Sequence, residues 1–163
     1  MGAFAGERGD LTVMDASEDP ADRVHQVQGA YRHIIIDCPP SVHAPQLHAA
    51  LTVADLALIP VQPSPVDLWA TVHIERALEH ARIVNRRLSA MIVINQLESR
   101  TMLSRLMHEA VSELEVPVAR TAIRRRAVYR NSALEGRSVL DMGQRGADAA
   151  AEIEHLLNEV ITS

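Results

Sequence analysis

A chain of 163 residues is long enough for one ordinary core, so a single domain over residues 1–163 is expected. Apolar residues make up 47 % of it and aromatics only 2 %, so Ala, Val, Leu and Ile must fill that core, and a formal charge of −5 argues against a surface coated in nucleic acid. No apolar run has bilayer-spanning length and the start shows no basic-then-apolar leader, so membrane insertion and secretion are not expected and the cytoplasm is.

Two residue counts narrow the chemistry. All 16 basic residues are arginine, so a mechanism that needs a lysine from these residues is excluded. Cys38 is the single cysteine; it rules out an internal disulfide, and it reads as a small packed residue rather than a reactive thiol.

In chain order, residues 1–30 read as an irregular N-terminal segment. Residues 11–14 suggest a short strand, and Asp19 followed by Pro20 suggests a capped helix start with Val24, Val27 and Tyr31 on one face. Then comes Tyr-Arg-His-Ile-Ile-Ile-Asp-Cys-Pro-Pro-Ser, residues 31–41. Ile34, Ile35 and Ile36 form an unbroken β-branched run, which suits a strand covered on both faces of a parallel sheet. Pro39 and Pro40 cannot continue a ladder, so the chain should turn there and leave Asp37 at the carboxyl edge of the sheet, where open α/β folds bind ligands.

A short helix is predicted over residues 45–53 and a buried strand over 56–61. Ser64, Pro65 and Asp67 form a helix-start signature, and the apolar spacing from Ala70 to Val84 carries that helix to about Arg86. Residues 90–94 read as a third buried strand ending at Asn95. Ser99 caps a further helix with Leu103, Leu106, Met107, Ala110, Val111 and Leu114 on one face, and residues 116–119 suggest a fourth strand, at an edge because of Pro117. A short helical piece over 128–134 stops at Gly136, and Ala147, Ala150, Ile153, Leu157 and Val160 mark a C-terminal amphipathic helix. Three successive strand–helix alternations imply an α/β fold with a doubly wound, mostly parallel sheet flanked by helices.

Over residues 31–163 the chain resembles the ParA/MinD family of P-loop ATPases, above all the small partition proteins without an N-terminal DNA-binding extension. Three segments in the family's order carry the resemblance: Ile-Ile-Ile-Asp-Cys-Pro-Pro-Ser, then Ala-Asp-Leu-Ala-Leu-Ile-Pro-Val-Gln-Pro-Ser-Pro-Val-Asp, then the stretch from Arg120 to Val139. The resemblance implies ATP and magnesium as cofactors, with Asp37 holding magnesium through water and Pro39, Pro40 and Ser41 forming the phosphate-sensing switch. It also implies that Asn95 and Thr121, Ala122 and Ile123 approach the nucleotide base. Arg120, Arg124, Arg125, Arg126 and Arg130 resemble the patch through which related ATPases bind DNA without sequence preference, although an acid-paired loop explains such a cluster equally well.

The sequence departs from the family in one respect. It has no Gly-x-x-x-x-Gly-Lys-Ser/Thr segment, so it reads as a member whose phosphate-binding loop and N-terminal part are missing, unable by itself to hydrolyse ATP at a useful rate. The function implied is a partition or positioning ATPase domain acting on a plasmid, chromosome or other cargo. Its implied partners are a second copy of itself, a ParB-like or other small protein, and DNA. The alternative is a non-catalytic dimerisation or partner-binding module derived from the same family. Asp37 would also suit a phosphoacceptor domain, but that chemistry generally calls for a lysine.

Overall fold

The structure is a computed structural model that describes residues 11–98 and 115–161, the side chains of residues 65–72 excepted. Its elements in order are α1 (Pro20–Val27), α2 (Pro45–Val53), β1 (Leu56–Val61), α3 (Pro65–Val84), β2 (Ser89–Ile94), α4 (Ala127–Leu134) and α5 (Ala147–Ile161). Two 3-10 turns, Val139–Asp141 and Gly143–Gly146, precede α5. The fold is α/β with a parallel sheet flanked by helices. Flanking hydrogen bonds show why β1 and β2 are parallel: Ser89 N donates to Asp55 O (3.0 Å) and Asn95 N to Val61 O (2.8 Å), so both strands advance in the same direction.

The chain divides into two compact units. The second unit contains Met14–Ala57 and Trp69–Ala90. In it, Asp19 caps α1 by accepting from Ala21 N (2.9 Å) and Asp22 N (3.1 Å), with Pro20 in the first turn, where its missing N–H costs nothing. α1 packs on α2, and Gln46 Nε2 donates to Ser17 O (3.1 Å). Nδ2 of Asn85 donates to the carbonyls of Leu51 (3.0 Å) and Ala54 (2.7 Å), satisfying the open carboxyl end of α2. Buried Ala77, Leu78 and Ala81 form the inward stripe of α3 at helical spacing.

The first unit contains Leu58–Leu68 and Met91–Ser163 besides the first thirteen residues. Here Val93 packs with Ala119, Ile123 and Leu156, and Met91, Tyr129, Ile153 and Val160 close over them. Gly136 ends α4 at φ 62°, a conformation that favours glycine. Gly146 is required for a different reason: a Cβ there would collide with the carbonyl oxygen of Val139.

Sequence expectation and structure part at three places. No strand forms anywhere in residues 31–41. Ile34 is 38 % and Ile35 91 % exposed and only Ile36 is half-buried, so among the described residues the β-branched run has no ladder partner and little cover, and a parallel strand needs both. Residues 11–14 form no strand either, with Leu11 and Val13 exposed. The expected strand at 116–119 is reduced to a single parallel bridge from Val118 to Ile92. Pro117 has no N–H to extend it, although its carbonyl accepts from Ile92 N at 2.8 Å. The helix predicted from Ser99 lies outside the described residues.

Candidate functional site

The predicted site residues fall into two groups in different units. Asp37, Pro39, Pro40 and Ser41 belong to the second unit and are all exposed. Because no strand precedes it, Asp37 does not stand at a strand end as expected. The Ser41 carbonyl accepts from Ala44 N (3.1 Å) and its hydroxyl from His43 N (3.3 Å), making a compact turn into α2. Among the described residues no group of three or more His, Cys, Asp or Glu side chains is placed to hold a metal ion; a single carboxylate such as Asp37, acting through water on a magnesium held chiefly by phosphates, needs no such group. Burial, and then the neighbouring Asp37 charge, push the Cys38 thiol up, which favours the packed, protonated cysteine.

The second group is brought together. β2 is buried from Ile92 to Ile94 and delivers half-buried Asn95 at its carboxyl end. Asn95 Oδ1 accepts from Gln96 N (2.9 Å), and Gln96 takes φ 53°, so the chain turns sharply on leaving the strand. The loop 119–126 lies directly alongside. Ala119 N donates to Ile92 O (2.7 Å), Ile123 N to Ile94 O (2.9 Å) and Arg125 N to Leu97 O (3.1 Å), while Leu97 N returns a bond to Ile123 O (3.0 Å). Asn95 and Thr121, Ala122 and Ile123 therefore meet at the carboxyl end of a parallel strand, where α/β folds place their ligands. Among the described residues neither Asn95 Nδ2 nor the Ala122 amide has a protein partner.

The other side of the loop is held by α5. Glu159 accepts from Arg120 N at Oε1 (2.6 Å) and from Thr121 N at Oε2 (3.2 Å). Those amide bonds, that of Arg120 first, hold its carboxyl below the usual range. Glu152 accepts from Arg126 Nε (3.1 Å) and Nη2 (2.8 Å) at Oε1, and from Arg124 N (3.2 Å) and the Tyr129 hydroxyl (3.1 Å) at Oε2. Burial and then Glu152 push the Tyr129 phenol up to about 12. Asp148 adds a bond to Arg126 Nη1 at 3.1 Å.

The arginine cluster is thus largely paired. Arg120 meets Glu159 (3.6 Å), Arg124 meets Glu152 (3.8 Å), Arg125 meets Glu98 (2.5 Å), and Arg126 meets both Asp148 and Glu152. Arg130 is exposed with no ion pair among the described residues. Sequence reasoning overlooked Glu152 and Glu159. Their signal was present: they are seven residues apart, two turns of α5, beside the apolar Ile153, Leu156 and Val160 that face the core.

A family model described as an AAA domain matches residues 5–109. The chain is 43 % identical over 145 residues to the maintenance of carboxysome distribution protein A of Halothiobacillus neapolitanus, covering 89 % of this chain and 67 % of that protein. It is 25 % identical over 134 residues to a protein of the same name from Gloeobacter kilaueensis, covering 81 % of this chain and 60 % of that relative.

Proposed function

Since the chain belongs to the ParA/MinD family of P-loop ATPases, we propose that it is part of a positioning ATPase whose cargo is the carboxysome. The observation that carries the cargo is the 43 % identity, over 89 % of this chain, to a protein named for maintaining carboxysome distribution. Plasmid or chromosome cargo has no such observation behind it.

Asn95 and Thr121, Ala122 and Ile123 take the nucleotide base. The unpartnered Asn95 Nδ2 and Ala122 amide offer donors to the acceptor nitrogens of a purine, and the ordered strand end holds them ready. The phosphate end is different. With no lysine and no Gly-rich loop in its sequence, this stretch does not by itself supply the phosphate cradle beside which Asp37 would hold magnesium through water. ATP turnover by these 163 residues alone is therefore negligible, since phosphoryl transfer depends on positioning and charge stabilisation of the phosphates. Magnesium-dependent hydrolysis by the pure chain that Asp37→Ala abolishes would contradict this.

In the organism that carries it, removal of the gene should collapse evenly spaced carboxysomes into clusters while plasmid and chromosome inheritance stay unchanged, as scored by fluorescence microscopy of a tagged shell protein. Unaltered spacing, or a source cell without carboxysomes, would overturn the cargo. A second reading, a non-catalytic dimerisation or partner-binding module, is favoured by the absence of lysine. It predicts that the pure chain self-associates or captures its partner without nucleotide, and that adenine nucleotides change neither.

A further inference from the structure

We infer that Glu152 and Glu159 of α5 are positioning residues for the base: they hold the loop 119–126 in the shape that presents Ala122 beside Asn95. This inference rests on the reading of that loop as the base site.

The loop's amides divide between two supports. Those of Ala119, Ile123 and Arg125 go to carbonyls of residues 92, 94 and 97. Those of Arg120, Thr121 and Arg124 go to the two carboxylates of α5. Among the described residues the strand side supplies bonds at residues 119 and 123 and none between them, and the stretch carrying Thr121 and Ala122 is spanned by Glu159. On the far flank Glu152 fixes Arg124 through its amide and Arg126 through its guanidinium. Ala122, whose amide has no partner among the described residues, lies between these two anchor points.

The carboxylates are well placed to be more than surface partners. Their side chains are only 13 % and 11 % exposed, and Glu152 accepts from one backbone N–H and Glu159 from two. A backbone N–H bond to an ionised acceptor is stronger than a neutral one and fixes main-chain position, whereas an exposed side-chain ion pair fixes little. Tyr129 orients Glu152 from α4 by donating to the same oxygen that receives Arg124 N. A rigid helix thus sets the loop through carboxylates two turns apart, and any movement of α5 along its axis would shift both anchors together.

The test combines amide exchange with nucleotide binding on the full chain. Glu159→Ala should speed exchange at Arg120 and Thr121 by about tenfold or more, and Glu152→Ala should do so at Arg124, while Ala119 and Ile123 keep their protection. In the same variants the affinity for the fluorescent adenine nucleotide mant-ADP should fall by about tenfold, with Glu159→Gln intermediate because its amide oxygen still accepts one N–H. If an alanine variant does not fold, Glu159→Gln and Glu152→Gln carry the comparison. Wild-type binding that Asn95→Ala weakens but the glutamate variants leave unchanged overturns the inference alone. Exchange that rises uniformly across the first unit also overturns it, since the glutamates would then be general stabilisers. Failure of the wild-type chain to bind mant-ADP overturns the base-site reading and this inference with it.

Discussion

The segment 31–41 and the loop 119–126 exchange the roles that their sequences suggest. The first has the clearest strand pattern in the chain, yet it forms no ladder and leaves Ile35 91 % exposed. The second has an irregular pattern rich in arginine, yet six of its backbone amides are bonded, three to the strand side and three to carboxylates of α5. A strand of continuous β-branched residues takes its order from neighbours on both sides and both faces, so its pattern states a requirement rather than an outcome. A polar loop can be ordered by a few well-aimed acceptors. Order here follows the available partners, not local propensity.

The largest expected contrast comes from removing apolar bulk in each setting. Ile92→Ala on β2, 1 % exposed, should cost about 2–5 kcal/mol in a denaturant melt, whereas Ile35→Ala should lie within about 0.5 kcal/mol of wild type. A large cost at Ile35 would mean that the segment acquires cover in solution.

Next in size is the loop anchor. Glu152→Ala removes an acceptor from the Arg124 amide, the Arg126 guanidinium and the Tyr129 hydroxyl, of which Arg126 keeps Asp148 and Tyr129 keeps the Ala149 carbonyl, and should cost about 1–2 kcal/mol. Asp37→Ala, at an exposed carboxylate in the other region, should cost no more than about 0.5 kcal/mol.

The pH dependence sharpens the same comparison through two groups. Glu159 titrates lower in the folded chain than in the unfolded one, so its contribution is complete above the ordinary carboxylate value of 4.5 and is lost as pH falls through the depressed folded value. Tyr129 titrates higher when folded, so its contribution is complete below 10.0 and is lost as pH rises towards about 12. Stability curves of Glu159→Gln and Tyr129→Phe should lose the acid and alkaline components respectively, and curves that still superimpose on wild type would refute these assignments.

The smallest effect concerns DNA. Five free arginines would give a salt slope near −4.5 in log affinity, but with four of the five acid-paired the slope should be only about −1 to −2. A slope near −4.5 would mean that α5 and Glu98 release the cluster to phosphate.

Much of the helical framework was legible because its signals are local. Asp19 with Pro20 marked α1, Pro65 opened α3 at the predicted residue, and Gly136 stopped α4. β1 lies over 56–61 as expected, but it is not the buried strand expected there, since only Val61 is buried and Leu58 is 44 % exposed; β2 is found to within one residue and is buried from Ile92 to Ile94. The strand at 34–36 was misjudged because periodicity records what a residue needs, not whether the ladder is there. Within the candidate site, Asn95 and Thr121, Ala122 and Ile123 were singled out by family resemblance alone. Glu152 and Glu159 were missed, because their importance lies in reaching across 28 to 39 residues of sequence to the backbone of another segment.

The most direct test of the account is a backbone NMR titration of the full chain with ADP. It predicts shifts concentrated at Asn95, Gln96 and residues 121–123, absent in Asn95→Ala and much weaker with GDP. Saturable binding of ADP that moves other residues and leaves that group unmoved would contradict it.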